Sequence, residues 1–283
     1  VVPTEGLQAF PYQGIDRHYL LHRSFGRTGK LPLVVAIHGW GQPIADMQRS
    51  WTMDAVADRE GFNVLYPAAV AGRWAYVDMR PVVLPNGGNA DDTGFILALV
   101  DKLIADHVAD PAHIYLAGAS NGGLVAWTFA CQASDRIAAV APMISGMLEP
   151  QMAQCHPKRL IPMIVIAGTD DWVQVYDGLP TPDYPLLSMP ETLQFWRRLR
   201  GCAGLTHTVV PPYDPNDPTE AVLIEWTDCK DPSPQQYYRI EGGGHSTPSY
   251  APLLPREKAR HGGRSRTIET AEVVWAFFHH AAP

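Results

Sequence analysis

The segment Gly118-Ala-Ser120-Asn-Gly122 constrains this chain more than any other five residues. It follows a short apolar run, His113-Ile-Tyr-Leu-Ala117, and precedes a helix-like stretch that begins at Asn121. A serine between two glycines at such a junction is the sequence form of a sharp strand-to-helix turn, which holds the hydroxyl out at the top of a sheet. The flanking positions must be small, because the turn brings strand and helix too close for side chains. The helix that follows points its first amides at any negative charge developing beside Ser120. The competing reading of Ser120 is a plain helix N-cap.

The rest of the chain reads as the layers such a turn needs. Leu31–His38 is a continuous apolar run, as expected of a strand covered on both faces, and Gly39-Trp40-Gly41 ends it in a loop. Helical spacing over Ala45–Arg59 carries Met47, Trp51 and Val56, and Gly61–Pro67 is a short strand stopped by proline. Residues 70–90 form a long excursion rich in Gly, Pro and Asn, a length that is uncommon unless the loop is functional. Asp91 and Asp92 open a helix running to His107, placing acids at its N-terminus. After the strand His113–Ala117 and a helix from Asn121 to Cys131 come two β-like runs, Ile137–Ile144 and Ile161–Ala167. Pro190–Leu199 reads as a helix, residues 207–211 and 221–227 as a hairpin pair, Tyr237–Ile240 as a strand and Thr267–His279 as a closing amphipathic helix. Strands alternating with helices predict an α/β chain with a mostly parallel central sheet and helices on both faces. With 283 residues and neither a repeat nor a linker, one domain over residues 1–283 is expected.

The formal charge of −7 and pI near 5.8 argue against a nucleic-acid partner, which calls for a basic stripe. The sequence holds no apolar run of the ~18 residues that a membrane span requires. It starts Val1-Val2-Pro3, which suggests a processed or trimmed product. Gly26-Arg-Thr-Gly29-Lys30 lacks the spacing and the Ser/Thr of a phosphate-binding loop and reads as a turn. The four cysteines, Cys131, Cys155, Cys202 and Cys229, form no metal-binding spacing, and no metal or cofactor is expected. Three connectivities are open to them, the sequence-local one among them, and so is a set of four buried free thiols.

A serine hydroxyl is a poor nucleophile until a base takes its proton, and the base needs a third group to fix its tautomer. In α/β-hydrolases the partners follow the serine in the order acid, then histidine, each in a loop after a later strand. Here Gly168-Thr-Asp170-Asp171 follows the run Ile161–Ala167, and Gly242-Gly-Gly-His245 follows Tyr237–Ile240. Ser120, Asp171 and His245 are therefore the expected nucleophile, acid and base. Asp170 is the rival acid, with spacing from Gly168 favouring Asp171; His261, His279 and His280 are the rival bases. A tetrahedral intermediate also needs two amide donors for its oxyanion, and the Asn121 and Trp40 amides are expected to supply them. The bland alternative for His38-Gly39 is a simple strand cap.

With these motifs in order, the chain resembles the secreted esterases that join polyhydroxybutyrate depolymerases and feruloyl esterases, a family of α/β-hydrolases. Leu33-Val-Val-Ala-Ile-His-Gly39, Ala57-Asp-Arg-Glu-Gly-Phe62, Asp91-Asp-Thr-Gly-Phe-Ile96, Gly118–Gly123, Gly168–Asp171 with Tyr176-Asp-Gly178, and Gly242–His245 carry the resemblance. It implies Asp171 over Asp170, disulfides Cys131–Cys155 and Cys202–Cys229, and a secreted or periplasmic location. This chain departs from the family at Thr247, where relatives usually have tryptophan, and at Trp40, where they often have cysteine or a small residue. Both positions are expected near the acyl group, together with Trp74 and Trp172. The resemblance implies a serine carboxylic-ester hydrolase, acting on a small-molecule or oligomeric ester. Acetylxylan and general carboxylic esters are alternative substrates, and a peptidase or a hydrolase-like binding protein are rival functions. Oligomeric state is not readable from the sequence.

Overall fold

The computed structural model describes residues 6–75, 81–251, 253 and 255–281. Val1–Pro3 and residues 76–80 of the long excursion lie outside the described residues. The chain opens with two strands, β1 (Gln8–Tyr12) and β2 (Ile15–His22), followed by β3 (Leu31–Ile37), helices α1 (Ile44–Ser50) and α2 (Met53–Glu60), and β4 (Asn63–Pro67). Next come α3 (Asp92–Ala105), β5 (Ala109–Ala119), α4 (Asn121–Gln132), β6 (Ala139–Met143), α5 (Glu149–Ala153) and β7 (Met163–Gly168). The last part holds a small hairpin, β8 (Leu179–Thr181) with β9 (Tyr184–Leu186), and α6 (Met189–Arg200). It ends with β10 (Gly204–Val210), β11 (Glu220–Thr227), β12 (Gln235–Glu241), α7 (Pro255–His261) and α8 (Thr270–Ala281).

Ten strands form one sheet in the order β1-β2-β4-β3-β5-β6-β7-β12-β11-β10. The six from β4 to β12 run parallel, and antiparallel pairs close both edges. The continuous apolar runs follow from burial on both sides, since alternate residues of a strand face opposite layers. Leu33, Val35 and Ile37 of β3 join one core with α3 and α4, through Phe95, Leu99, Trp127 and Phe129. Val34 and Ala36 join the other with α1, α2 and α8, through Met47, Val56, Trp275 and Phe278.

Several elements differ from the sequence reading, among them α5, α7 and the β8–β9 hairpin, which it did not contain. The predicted helix Ala45–Arg59 is two helices, broken where Thr52 adopts φ 54°. Met47 and Met53 are six residues apart, roughly 240° around a straight helix. Both are fully buried, which the break allows. The antiparallel β1–β2 hairpin was not foreseen; it turns at Gln13 (φ 51°) and Gly14 (φ 75°), a two-residue connection with both φ positive. Strand β5 is longer than expected because the polar stretch Asp110–His113 is drawn in around a register shift opposite Leu31 and Leu33.

Disulfides join Cys131 to Cys155 and Cys202 to Cys229. The first ties the C-terminal end of α4 to the segment after α5, and the second closes the base of the β10–β11 edge onto the end of α6. Each spans a loop of about 25 residues, for which chain entropy gives about 3 kcal/mol. Cys131→Ser/Cys155→Ser is therefore expected to lower the unfolding free energy by about 3 kcal/mol, measured by urea denaturation at neutral pH. An unchanged midpoint would contradict it.

Candidate active site

The parallel strands β3, β5, β7 and β12 all end on the same edge, and each delivers one expected group: Trp40, Ser120, Asp171 and His245. At the end of β5 the chain reverses into α4 with Ser120 at φ 57° and ψ −118°, a strained conformation for a residue with a side chain. A Cβ added at Gly118 would lie 2.0 Å from the Gly122 carbonyl oxygen, and one at Gly122 would lie 2.2 Å from that of Ile37. These contacts are with backbone, which cannot move aside, so the turn admits only glycine at both places.

The structure brings Ser120, His245 and Asp171 into one hydrogen-bonded line. His245 Nδ1 lies 2.7 Å from Asp171 Oδ2, and Nε2 lies 2.8 Å from Ser120 Oγ. The carboxylate is fixed on its other side, because Asp171 Oδ1 accepts the Val173 and Gln174 amides at 2.8 Å each. Asp171 is buried, and a buried carboxylate holding two amides is an acceptor for the Nδ1–H. That tautomer leaves the Nε2 lone pair facing the serine hydroxyl. The His245 loop is held by its own amide donating to the His261 carbonyl at 2.6 Å and by Gly244 donating to Gly263 at 2.7 Å. His261 thus supports the backbone of the loop. The exposed Asp170 donates its amide to the Gly243 carbonyl, which ties acid loop to histidine loop.

Beside this line lies the loop after β3. His38 is buried and its ring bridges two segments: Nδ1 lies 2.7 Å from the Gly39 carbonyl oxygen, and Nε2 accepts the Ala69 amide at 3.1 Å. Those roles require the neutral ring, and burial pushes its pKa below the usual 6.5. Gly41 donates to the Gly72 carbonyl at 2.7 Å, while the Gln42 side chain accepts the Gly39 amide. Among the described residues, the Trp40 and Asn121 amides have no hydrogen-bond partner in the turns and loops.

A cavity of about 710 Å³ opens over Ser120, lined by Trp40, Val173, Leu179 and Tyr184 among other residues. Arg73 and Pro81 share its rim, with the guanidinium donating to the Pro81 carbonyl at 2.8 Å. Gln174 donates to the Tyr184 hydroxyl at 2.6 Å, joining the acid loop to the β8–β9 hairpin.

Of the four residues expected around an acyl group, Trp40 lines this cavity, with 67% of its surface exposed. Trp74 does not. It has no exposed surface, its indole N–H donates to the His38 carbonyl at 2.9 Å, and its amide donates to Asn121 Oδ1 at 2.8 Å. It is a brace between loops, because a fully buried ring has nothing to offer a ligand. Trp172 is exposed but packs toward Gly262, and Thr247 is buried; neither is among the described residues lining the cavity. Val173, Gln174, Leu179 and Tyr184 went unforeseen. Proximity to Asp171 could have found the first two, whereas three-residue strands carry no periodicity to reveal the others.

Among the described residues no cluster of His, Cys, Asp or Glu is arranged to hold a metal ion, and no helix is long and apolar enough to cross a membrane.

Comparison with known proteins gives this geometry a context. A family model described as "Esterase PHB depolymerase" matches residues 19–155. "Putative esterase NocK" of Nocardia uniformis subsp. tsuyamanensis is 29% identical over 278 residues, which cover 93% of this chain and 79% of that protein. "Bifunctional acetylxylan esterase/xylanase XynS20E" of Neocallimastix patriciarum is 24% identical over 237 residues, 84% of this chain but only 32% of that longer protein. Among solved structures, "Acetyl xylan esterase from Aspergillus awamori" superposes with a TM-score of 0.63 over 97% of this chain and 99% of that one, at 14% identity. The shared architecture is the α/β-hydrolase fold.

Proposed function

We infer that this chain, a relative of the PHB-depolymerase-type esterases, is a serine carboxylic-ester hydrolase working through an acyl-enzyme. The observation that carries the reading is the unbroken line from Asp171 through His245 to Ser120 Oγ, with both imidazole contacts under 3 Å. Ser120 attacks the ester carbonyl while His245 Nε2 takes its proton. The Asn121 and Trp40 amides receive the oxyanion, and His245 then protonates the departing alcohol. Water, activated by the same imidazole, releases the acid. Asp171 orients the ring and stabilises its cationic form. No metal or organic cofactor enters this sequence.

The cavity supports a reading of the substrate class. Its volume of about 710 Å³ and its wall of Trp40, Val173, Leu179 and Tyr184 suit a bulky or oligomeric apolar acyl group better than acetyl. Hydroxycinnamate esters and hydroxyalkanoate oligomers both meet that description. One sheet runs continuously from β1 to β10, which supports a single catalytic domain over residues 1–283. Two disulfides support a secreted or periplasmic protein, since such bonds persist in oxidising compartments.

The test is a substrate panel: release of ferulate, 3-hydroxybutyrate and acetate from defined esters under identical conditions. At least one of the two larger acids is expected with kcat/KM about tenfold or more above that for acetate, the difference one or two buried methylenes supply. Acetate released fastest would overturn the assignment of a bulky acyl group while leaving ester hydrolysis intact.

A further inference from the structure

The strap formed by residues 68–75 crosses in front of the proposed oxyanion site and makes four contacts there. The Ala69 amide donates to His38 Nε2, and the Gly72 carbonyl accepts from Gly41. The Trp74 indole and amide donate to the His38 carbonyl and the Asn121 side chain. These contacts fall on both sides of Trp40 and on Asn121, the residues whose amides are assigned to the oxyanion. Nothing in the strap's own composition makes it rigid, since it contains only a single 3-10 turn, at Val70–Gly72.

Both ends of the strap converge on one buried pair. Arg17 Nη2, from β2, donates to the Ala68 carbonyl at 3.2 Å and to Asp92 Oδ1 at 2.6 Å. Asp92 Oδ2, at the start of α3, accepts the Ala75 amide at 2.6 Å. The Arg17 and Asp92 side chains are 1% and 0% exposed, and the guanidinium lies 3.8 Å over the Phe95 ring. Asp92 is therefore not a surface acid complementing the α3 dipole, as its position suggested. Asp91 performs the capping, accepting the Gly94 amide at 2.8 Å.

We propose that the Arg17–Asp92 pair is the positioning device of the oxyanion hole: it closes the strap 68–75 into a ring whose two ends are held by one ion pair. Burying two charges is costly, and replacing a buried ion pair by apolar side chains is often neutral for stability. What an apolar pair cannot do is grip the Ala68 carbonyl and the Ala75 amide at fixed separation. The pair thereby sets the Trp40 and Asn121 amides without touching substrate, and small displacements of such donors are expensive in the transition state. The assignment rests on the oxyanion roles given under Proposed function.

Three variants, Arg17→Met/Asp92→Leu, Asp92→Asn and Ser120→Ala, are compared on p-nitrophenyl butyrate. In the apolar double variant the protein still folds, the two backbone bonds lost at Ala68 and Ala75 offsetting the relief of not burying two charges, while kcat falls about 10- to 100-fold and KM changes less than about threefold. Inhibition by a trifluoromethyl ketone, whose hemiketal oxyanion occupies the same hole, weakens by the same factor as kcat/KM. Should the double variant not fold, Asp92→Asn, which keeps the size of the side chain and one acceptor, carries the same expectation at the lower end of the range. A folded variant with wild-type kcat, or a loss confined to KM, overturns the proposal. Ser120→Ala separates the two failures: if it keeps turnover, the catalytic assignment itself falls, and if it is inactive while the strap variants are unimpaired, only the positioning role does.

Discussion

Ser120→Ala is expected to lower kcat on an activated ester by about 10⁴- to 10⁶-fold, and Ser120→Ala/His245→Ala by no more than the worse of the two single changes. The lack of additivity is the informative part. Ser120 Oγ and His245 Nε2 share one proton across 2.8 Å, so removing either ends the transfer and removing the second costs nothing further. Residual turnover above the water rate would come from the amides of Asn121 and Trp40, which remain in place. The measurement is kcat for the four proteins with p-nitrophenyl butyrate, together with far-UV circular dichroism to establish that each is folded. Losses that multiply would mean that the two residues act in separate steps, and the single line of hydrogen bonds would then be the wrong description.

Gly122→Ala is expected to destabilise the fold by about 3 kcal/mol or more and to remove most ester turnover in whatever protein still folds. The added methyl group would stand 2.2 Å from the Ile37 carbonyl oxygen and 2.7 Å from that of His38. Relief requires α4 to move away from β3, which carries Ser120 away from the loop that bears Trp40. Denaturant midpoint and kcat should therefore fall together. The change Gly87→Ala makes a useful contrast: Gly87, unlike Gly122, has positive φ (86°), but no atom lies within 4 Å of a built Cβ, so only backbone strain is felt and kcat should hold. If Gly122→Ala proves as mild as Gly87→Ala, the close approach is not what restricts the position.

The parts of the site visible in the sequence were those in which a chemical group and its backbone context lie within a few residues of each other. The elbow at Ser120, the carboxylates after β7 and the glycine run before His245 each announce a strand end and a functional side chain together. The sheet order let three such segments meet at one edge. What stayed hidden depended on partners far away in the chain. Arg17 sits between Asp16 and His18 in a strand of mixed polarity, so nothing marks it out locally, and its meaning comes only with Asp92, 75 residues on. Trp74 could have lined a cavity or braced a loop, and only the acceptors at His38 and Asn121 decide between them. The β1–β2 hairpin escaped because Gln13-Gly14 is a weaker turn signal than Asn-Gly. The break at Thr52 shows only when Met47 and Met53 must both be inside.

Trp40 makes the loop that carries it visible to light. The chain has eight tryptophans, of which Trp74, Trp127 and Trp196 have no exposed surface and emit from a dry interior whatever the site contains. Trp172 is exposed, approaches Gly262, and is not among the described residues lining the cavity. Trp40 alone among these five is both exposed and part of the cavity lining, so under the proposed function an acyl group settling there would change the polarity around that indole and leave the three buried ones as a constant background. The protein would then carry its own fluorescent gauge of occupancy, on the very residue whose amide is a proposed oxyanion donor.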